Sequence, residues 1–201
     1  MLMTTSANER MFMVQNYNLE GALAVLEQGG LILYPTDTIW SIGCDATNTK
    51  AIENLLQLKR PNQSAKLEVL VDSVEMLRNY VIHLHPRIET LLVYHLRPLT
   101  IIFDQVEHLP EIVKESDLSV GFRVVQDDYC RKLIAAFGKP LVASYACVGC
   151  KDYPANFGAV SSEIIQGVDF VARHRQHEKI IGKPSVMIRL TAEDELEFLR
   201  D

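Results

Sequence analysis

The 201-residue chain is 48% hydrophobic and 23% charged, enough apolar material for one buried core and too ordinary a charge content for a disordered protein. Its formal net charge of -6 excludes attraction of nucleic acid by the overall field, so any RNA contact requires a local basic groove. The N-terminus has no basic segment followed by an apolar stretch, and the longest apolar runs are too short to span a bilayer. A cytoplasmic protein with no membrane contact is therefore expected.

In chain order, residues 1–10 read as a loose start and MFMVQ (11–15) as a short strand. Asn18 is placed to cap a helix whose Leu19, Ala22, Leu23 and Leu26 share one face, and Gly29-Gly30 stops it. LILYPTDT follows as a strand that gives way to a loop at Pro35. A helix is expected from Thr49 to Lys59, ended by Pro61, then a strand over 67–71 and a helix over 75–80 capped by Ser73. Pro86 to His95 reads as a helix, 99–103 and 119–125 as strands, and Asp127 to Phe137 as a helix ended by Gly138. The strand 140–146, a short helix 161–166 and the strands 168–173 and 185–190 complete the chain, with Arg173 to Lys183 as its most mobile loop. Several strands follow one another without a helix between them. The expectation is a single α/β domain of the α+β type, with helices packed on a mixed sheet rather than a doubly wound fold.

Five segments carry candidate chemistry. Tyr34 to Gly43 places Thr36, Asp37 and Thr38 just past a strand end, where open sheets bind ligands, although a polar turn reads equally well. Lys59-Arg60 at a helix end suits a phosphate, and equally suits the helix dipole. Arg97-Pro98-Leu99-Thr100 precedes a strand, and Gly121 to Val124 sets Arg123 inside one. An arginine there must face a polar pocket or a carboxylate. The last segment, Ala143 to Cys150, holds Ser144 and a Cys-x-x-Cys made by Cys147 and Cys150. A structural zinc needs about four ligands, and no second such pair exists, so reduced thiols are expected at all four cysteines, Cys44 and Cys130 included. No Walker loop and no dinucleotide fingerprint is present.

Taken in order, GGLILYPTDTIWSIGCDATN, the Lys59 region, LEVLVDS, RPLTIIF, SVGFRVV, KPLVASYA, YPANF and KPSVMIRL resemble the YrdC-like family of threonylcarbamoyl-adenylate synthases over about Leu19 to Arg200. The resemblance implies a twisted mixed sheet with flanking helices and a concave face. It also implies condensation of L-threonine, bicarbonate and ATP to threonylcarbamoyl-AMP and pyrophosphate, for N6-threonylcarbamoyladenosine in tRNA. Magnesium is expected with ATP, held mainly by phosphates and water, and no protein-held metal and no tightly bound cofactor. Tied to the resemblance are tRNA-modifying transferase proteins downstream and possible binding of double-stranded RNA. Carried over by residue, Thr36 and Thr38 would shape the threonine pocket, Arg123 would hold the threonine carboxylate, and Ser185 would bond substrate. Lys59 would meet the triphosphate, Thr100 and Arg200 would line the nucleotide site, and Lys59, Arg60 and Ser144 would form the catalytic set, Ser144 also touching nucleotide.

The chain departs from the family pattern. Lys-x-Arg becomes Lys59-Arg60-Pro61, and Ser-x-Asn becomes Tyr145 and Cys147. Ser41, Glu68 and Arg97 also stand where other residue types are usual. Tyrosine is bulkier than serine, and cysteine lacks the amide bonds of asparagine. The alternative implied is a catalytically degenerate paralogue that still binds nucleotide, amino acid or double-stranded RNA, the last in a groove lined by Lys59, Arg60, Lys66, Arg97 and Arg123.

Overall fold

The computed structural model describes residues 18–60, 66–148, 153–179 and 182–201. The loose start, the strand expected over 11–15, Pro61 and Cys150 lie outside them. Among these residues, six α-helices and nine strands follow in the order α1 (Glu20–Glu27), β1 (Ile32–Pro35), β2 (Trp40–Asp45), α2 (Thr49–Leu58), β3 (Glu68–Val71), α3 (Val74–Leu77), α4 (Pro86–Tyr94), β4 (Leu99–Phe103), β5 (Val120–Val124), α5 (Asp128–Phe137), β6 (Leu141–Tyr145), α6 (Ser162–Gly167), β7 (Phe170–Val171), β8 (Val186–Leu190) and β9 (Leu196–Arg200). All the strands join one sheet in the order β7-β1-β2-β6-β3-β5-β4-β8-β9. The pairs β1–β7, β3–β5 and β4–β8 are parallel and the others antiparallel, so the expected mixed sheet in a single domain is present.

The strands bury side chains on both faces because successive residues point to opposite sides. In β1, Leu33 joins a core under α2, α3, α4 and α6, which contribute Ile52, Leu55, Leu77, Ile88, Leu92 and Ile164. Ile32 and Tyr34 join a second core under α1 and α5, built from Leu19, Ala22, Leu26, Leu133 and Ile134. Helix starts follow local chemistry: Asn48, Ser73, Asp127 and Ser161 each accept a bond from a first-turn N–H of α2, α3, α5 and α6. Gly138 ends α5 at φ +76°, as its sequence position implies.

Three expectations need correction. Asn18 does not cap α1: it sits at φ +50°, and Leu19 occupies the cap position without a side-chain bond. The segment after Pro35 is only briefly a loop, since Trp40–Asp45 forms the fully buried strand β2. The chain ends not on β8 but on β9, which pairs antiparallel with it.

Among the described residues, the second face is covered by two helices, α1 and α5. What they leave open is the floor of a cleft. One cross-strand row on that face runs Gly43, Ala143, Glu68, Gly121. Small residues, Ala143 and Gly121, lie on either side of Glu68 in that row.

Candidate active site

Arg123 is the anchor of the cleft. It lies on β5 opposite Leu70 of β3 and Thr100 of β4, and its side chain is 2% exposed. A guanidinium so deep requires counter-charges. Two carboxylates supply them: Asp37 bonds Nη1, and Glu68 Oε2 lies 3.4 Å from Nε. Thr38 Oγ1 accepts a further bond from Nη1 at 3.0 Å. Burial works against the charge of Arg123, but Asp37 and Glu68 more than offset it and its pKa is raised. The expectation that Arg123 faces a carboxylate is met within the protein itself. The Nε donor is buried and makes no hydrogen bond, so Glu68 meets it by charge alone.

Glu68 also binds Arg200 of β9. Nη2 of Arg200 donates to Glu68 Oε1 at 2.8 Å and to Ser185 Oγ at 2.7 Å, Nε donates to the Ser185 carbonyl, and Nη1 donates to Tyr145 Oη at 2.9 Å. Ser185 Oγ in turn lies 2.6 Å from Thr100 Oγ1. Burial raises the pKa of the Tyr145 phenol, so it stays neutral and can accept that bond. Thr38, Ser41, Lys66, Glu68, Arg123, Ala143 and Tyr145 line a cavity of about 10 Å³, roughly the room of one water.

The Pro35–Thr38 turn holds the other wall. Thr36 Oγ1 donates to the Ile39 carbonyl and lies 2.8 Å from Thr38 Oγ1. Arg175 ties the turn to its surroundings through the Thr36 carbonyl and Asp127. Gly182 passes so close that a Cβ there would fall 1.8 Å from the Thr38 carbonyl oxygen.

Lys59, at the C-cap of α2, is 8% exposed, and its Nζ donates to the Tyr145 carbonyl at 2.6 Å. Among the described residues no carboxylate pairs with it. Desolvation lowers its pKa from 10.5 to about 8.

The structure thus joins Thr36, Thr38, Arg123, Thr100, Ser185 and Arg200 into one network and brings Lys59 to the end of β6. It does not bring Arg60 or Ser144 there. Arg60 points outward to Glu163 at 2.9 Å. Ser144 is one residue out of phase with Tyr145: it pairs in register with Ile42, a residue of the opposite core, and donates to the Lys66 carbonyl. The expected basic groove does not assemble as a set, because Lys59 and Arg123 are buried and Arg60 is paired, leaving Lys66 and Arg97 exposed. Cys147 is disulfide-bonded, against the expectation of a reduced thiol, while Cys44 and Cys130 are free and buried. Asp37 as the partner of Arg123 was not foreseen; the Pro-Thr-acid-Thr spelling was the available signal.

The family model Sua5/YciO/YrdC, described as "Telomere recombination", matches residues 24–201. A threonylcarbamoyl-AMP synthase of Xanthomonas euvesicatoria is 30% identical over 162 residues, 79% of this chain and 87% of that protein. The crystal structure of Escherichia coli YciO superposes with a TM-score of 0.76 at 19% identity, over 96% of this chain and 89% of its own. Pyrococcus abyssi Sua5 complexed with L-threonine superposes with a TM-score of 0.76 at 20% identity, over 89% of this chain, which spans only 52% of that protein.

Proposed function

The chain belongs to the Sua5/YciO/YrdC family, and on that premise we propose that it condenses L-threonine, bicarbonate and ATP to threonylcarbamoyl-AMP, pyrophosphate and water. The product would feed tRNA-modifying transferase proteins in the cytoplasm. The observation that carries this reading is the network that joins Arg123 and Arg200 to four buried hydroxyls, Thr36, Thr38, Thr100 and Ser185, with Lys59 bonded to the Tyr145 carbonyl at the end of β6. Two relatives add support: the synthase of X. euvesicatoria by its name and the P. abyssi protein by its complex with L-threonine.

The amine of threonine would take up bicarbonate to give a carbamate and water. A carbamate oxygen would then attack the α-phosphorus of ATP and expel pyrophosphate. Nothing in this sequence asks for a covalent nucleophile. It asks for aligned reactants and for cations where charge builds up. Thr38 and Arg123 would orient the amino acid, and Arg200 and Thr100 the nucleotide. Lys59, which has no carboxylate partner among the described residues, would meet the triphosphate. Among the described residues no cluster of three or more metal-ligating side chains exists, and Asp37 and Glu68 are held by guanidinium groups. Magnesium would therefore travel on the phosphates and water.

One observation favours a second reading, a non-catalytic paralogue that retains binding. Glu68 and Tyr145 occupy both arginines and leave only the small cavity between them. Pyrophosphate release by the purified protein with ATP and magnesium decides between the two. Release that needs both L-threonine and bicarbonate supports the synthase. Absence of release, in a protein that calorimetry shows still binds ATP, supports the paralogue.

A further inference from the structure

The buried ion-pair cluster of the inner cleft is balanced in itself, with the exposed Lys66 at the rim of the same cavity outside it. Arg123 and Arg200 carry two positive charges, and Asp37 and Glu68 carry two negative ones. A carboxylate ligand brought to Arg123 would add a third negative charge in a place with little water to screen it. Glu68 is the acid that stands in its way. Asp37 is anchored on the far side of the guanidinium by the backbone N–H of Gln126 as well as by Nη1. Glu68 instead lies over Nε, the one donor of Arg123 that is buried and makes no hydrogen bond, and it takes its own well-formed bond from Arg200. Its register partners across the sheet, Ala143 and Gly121, are small, so its carboxylate is held by the two guanidinium groups.

We infer that Glu68 is the specificity-determining residue of this cleft: its carboxylate holds the position between Arg123 and Arg200 that the carboxylate of an amino-acid substrate requires, so it selects against such ligands until it is displaced. The inference rests on the reading of the cleft as an amino-acid and nucleotide site. It assigns Glu68 the part of an internal competitor, with the free Nε of Arg123 as the contact a substrate carboxylate gains on replacing it. Selection by a like charge is an ordinary means of discrimination between ligands.

Calorimetric titration of L-threonine, and of its methyl ester, into the full-length wild type, Glu68→Gln and Glu68→Leu tests this. Glu68→Gln is expected to bind L-threonine tighter by about tenfold or more, the scale of a relieved like-charge contact at a buried site. The methyl ester, which carries no charge there, should bind all three proteins alike. Equal or weaker L-threonine binding by Glu68→Gln, or no binding by either protein, overturns the inference. Glu68→Leu removes the charge without asking for a hydrogen bond, so a folding defect in one variant alone leaves the test readable. Loss of folding in both assigns Glu68 a structural part and also overturns it. The pyrophosphate assay fails separately. Tighter threonine binding without release removes the synthase reading and keeps the assignment of Glu68. Release with unchanged threonine affinity in Glu68→Gln does the reverse.

Discussion

The two cationic ends of the cleft are built on opposite electrostatic terms. At the arginine end, each guanidinium meets protein carboxylates, hydroxyls or carbonyls, and burial is tolerated because the charges cancel. At the lysine end, a single ammonium is buried against one carbonyl oxygen and pays for it with a pKa lowered to about 8. The difference separates two ways to prepare a site for anions. A balanced cluster is rigid and discriminating, because a ligand must replace something. An unbalanced lysine is costly to the fold and receptive, because an arriving phosphate relieves the cost.

The largest effect should come from breaking the balanced end. Arg123→Met leaves Asp37 and Glu68 sharing a buried space with one cation fewer, and should cost about 3–5 kcal/mol of stability, read from urea unfolding. At the lysine end the sign of the stability effect reverses while binding suffers. Lys59→Met removes a buried charge that has no carboxylate partner among the described residues and should raise the urea midpoint, yet weaken ATP binding by roughly 10²-fold, the loss typical of one buried charge contact. The stability gain follows from linkage. The folded pKa of Lys59 lies below its unfolded value, so its penalty is full below about pH 8 and relieved as pH rises toward 10.5. The smallest effect is expected at Ser144, which lies on neither end. Ser144→Ala removes one bond to the Lys66 carbonyl and should cost about 1 kcal/mol in thermal unfolding, with pyrophosphate release unchanged.

Much of this arrangement was legible in the chain. The period of the apolar residues marks the helices and most strands, and an arginine inside an apolar strand calls for a polar pocket or a carboxylate. The parts that were not legible have physical causes. Trp40–Asp45 is buried on both faces yet contains Ser41, Gly43 and Asp45, so its composition resembles a turn. Leu196–Arg200 exposes Phe198 and Leu199 at a sheet edge and shows little inward pattern. Ser144 and Tyr145 differ by a single step along β6, and one step reverses the face a side chain occupies. Resemblance alone put the role on the serine, whereas strand register puts the tyrosine in the cleft. Glu68 stood out as an acid in an apolar strand. That it would bridge Arg123 and Arg200, remote from it along the chain, depends on the order β3-β5-β4-β8-β9, which no local pattern carries.

The contrast between the two ends is tested most directly by the affinity of wild-type protein for magnesium-ATP, measured by calorimetry from pH 7 to pH 9. Lys59 is charged below about 8 and neutral above it, so ATP should bind at pH 7 and progressively more weakly through pH 8 to 9, with the loss absent in Lys59→Met. An affinity that stays flat across that range in the wild type would contradict the account, because the buried lysine would then not be the group that receives the phosphates.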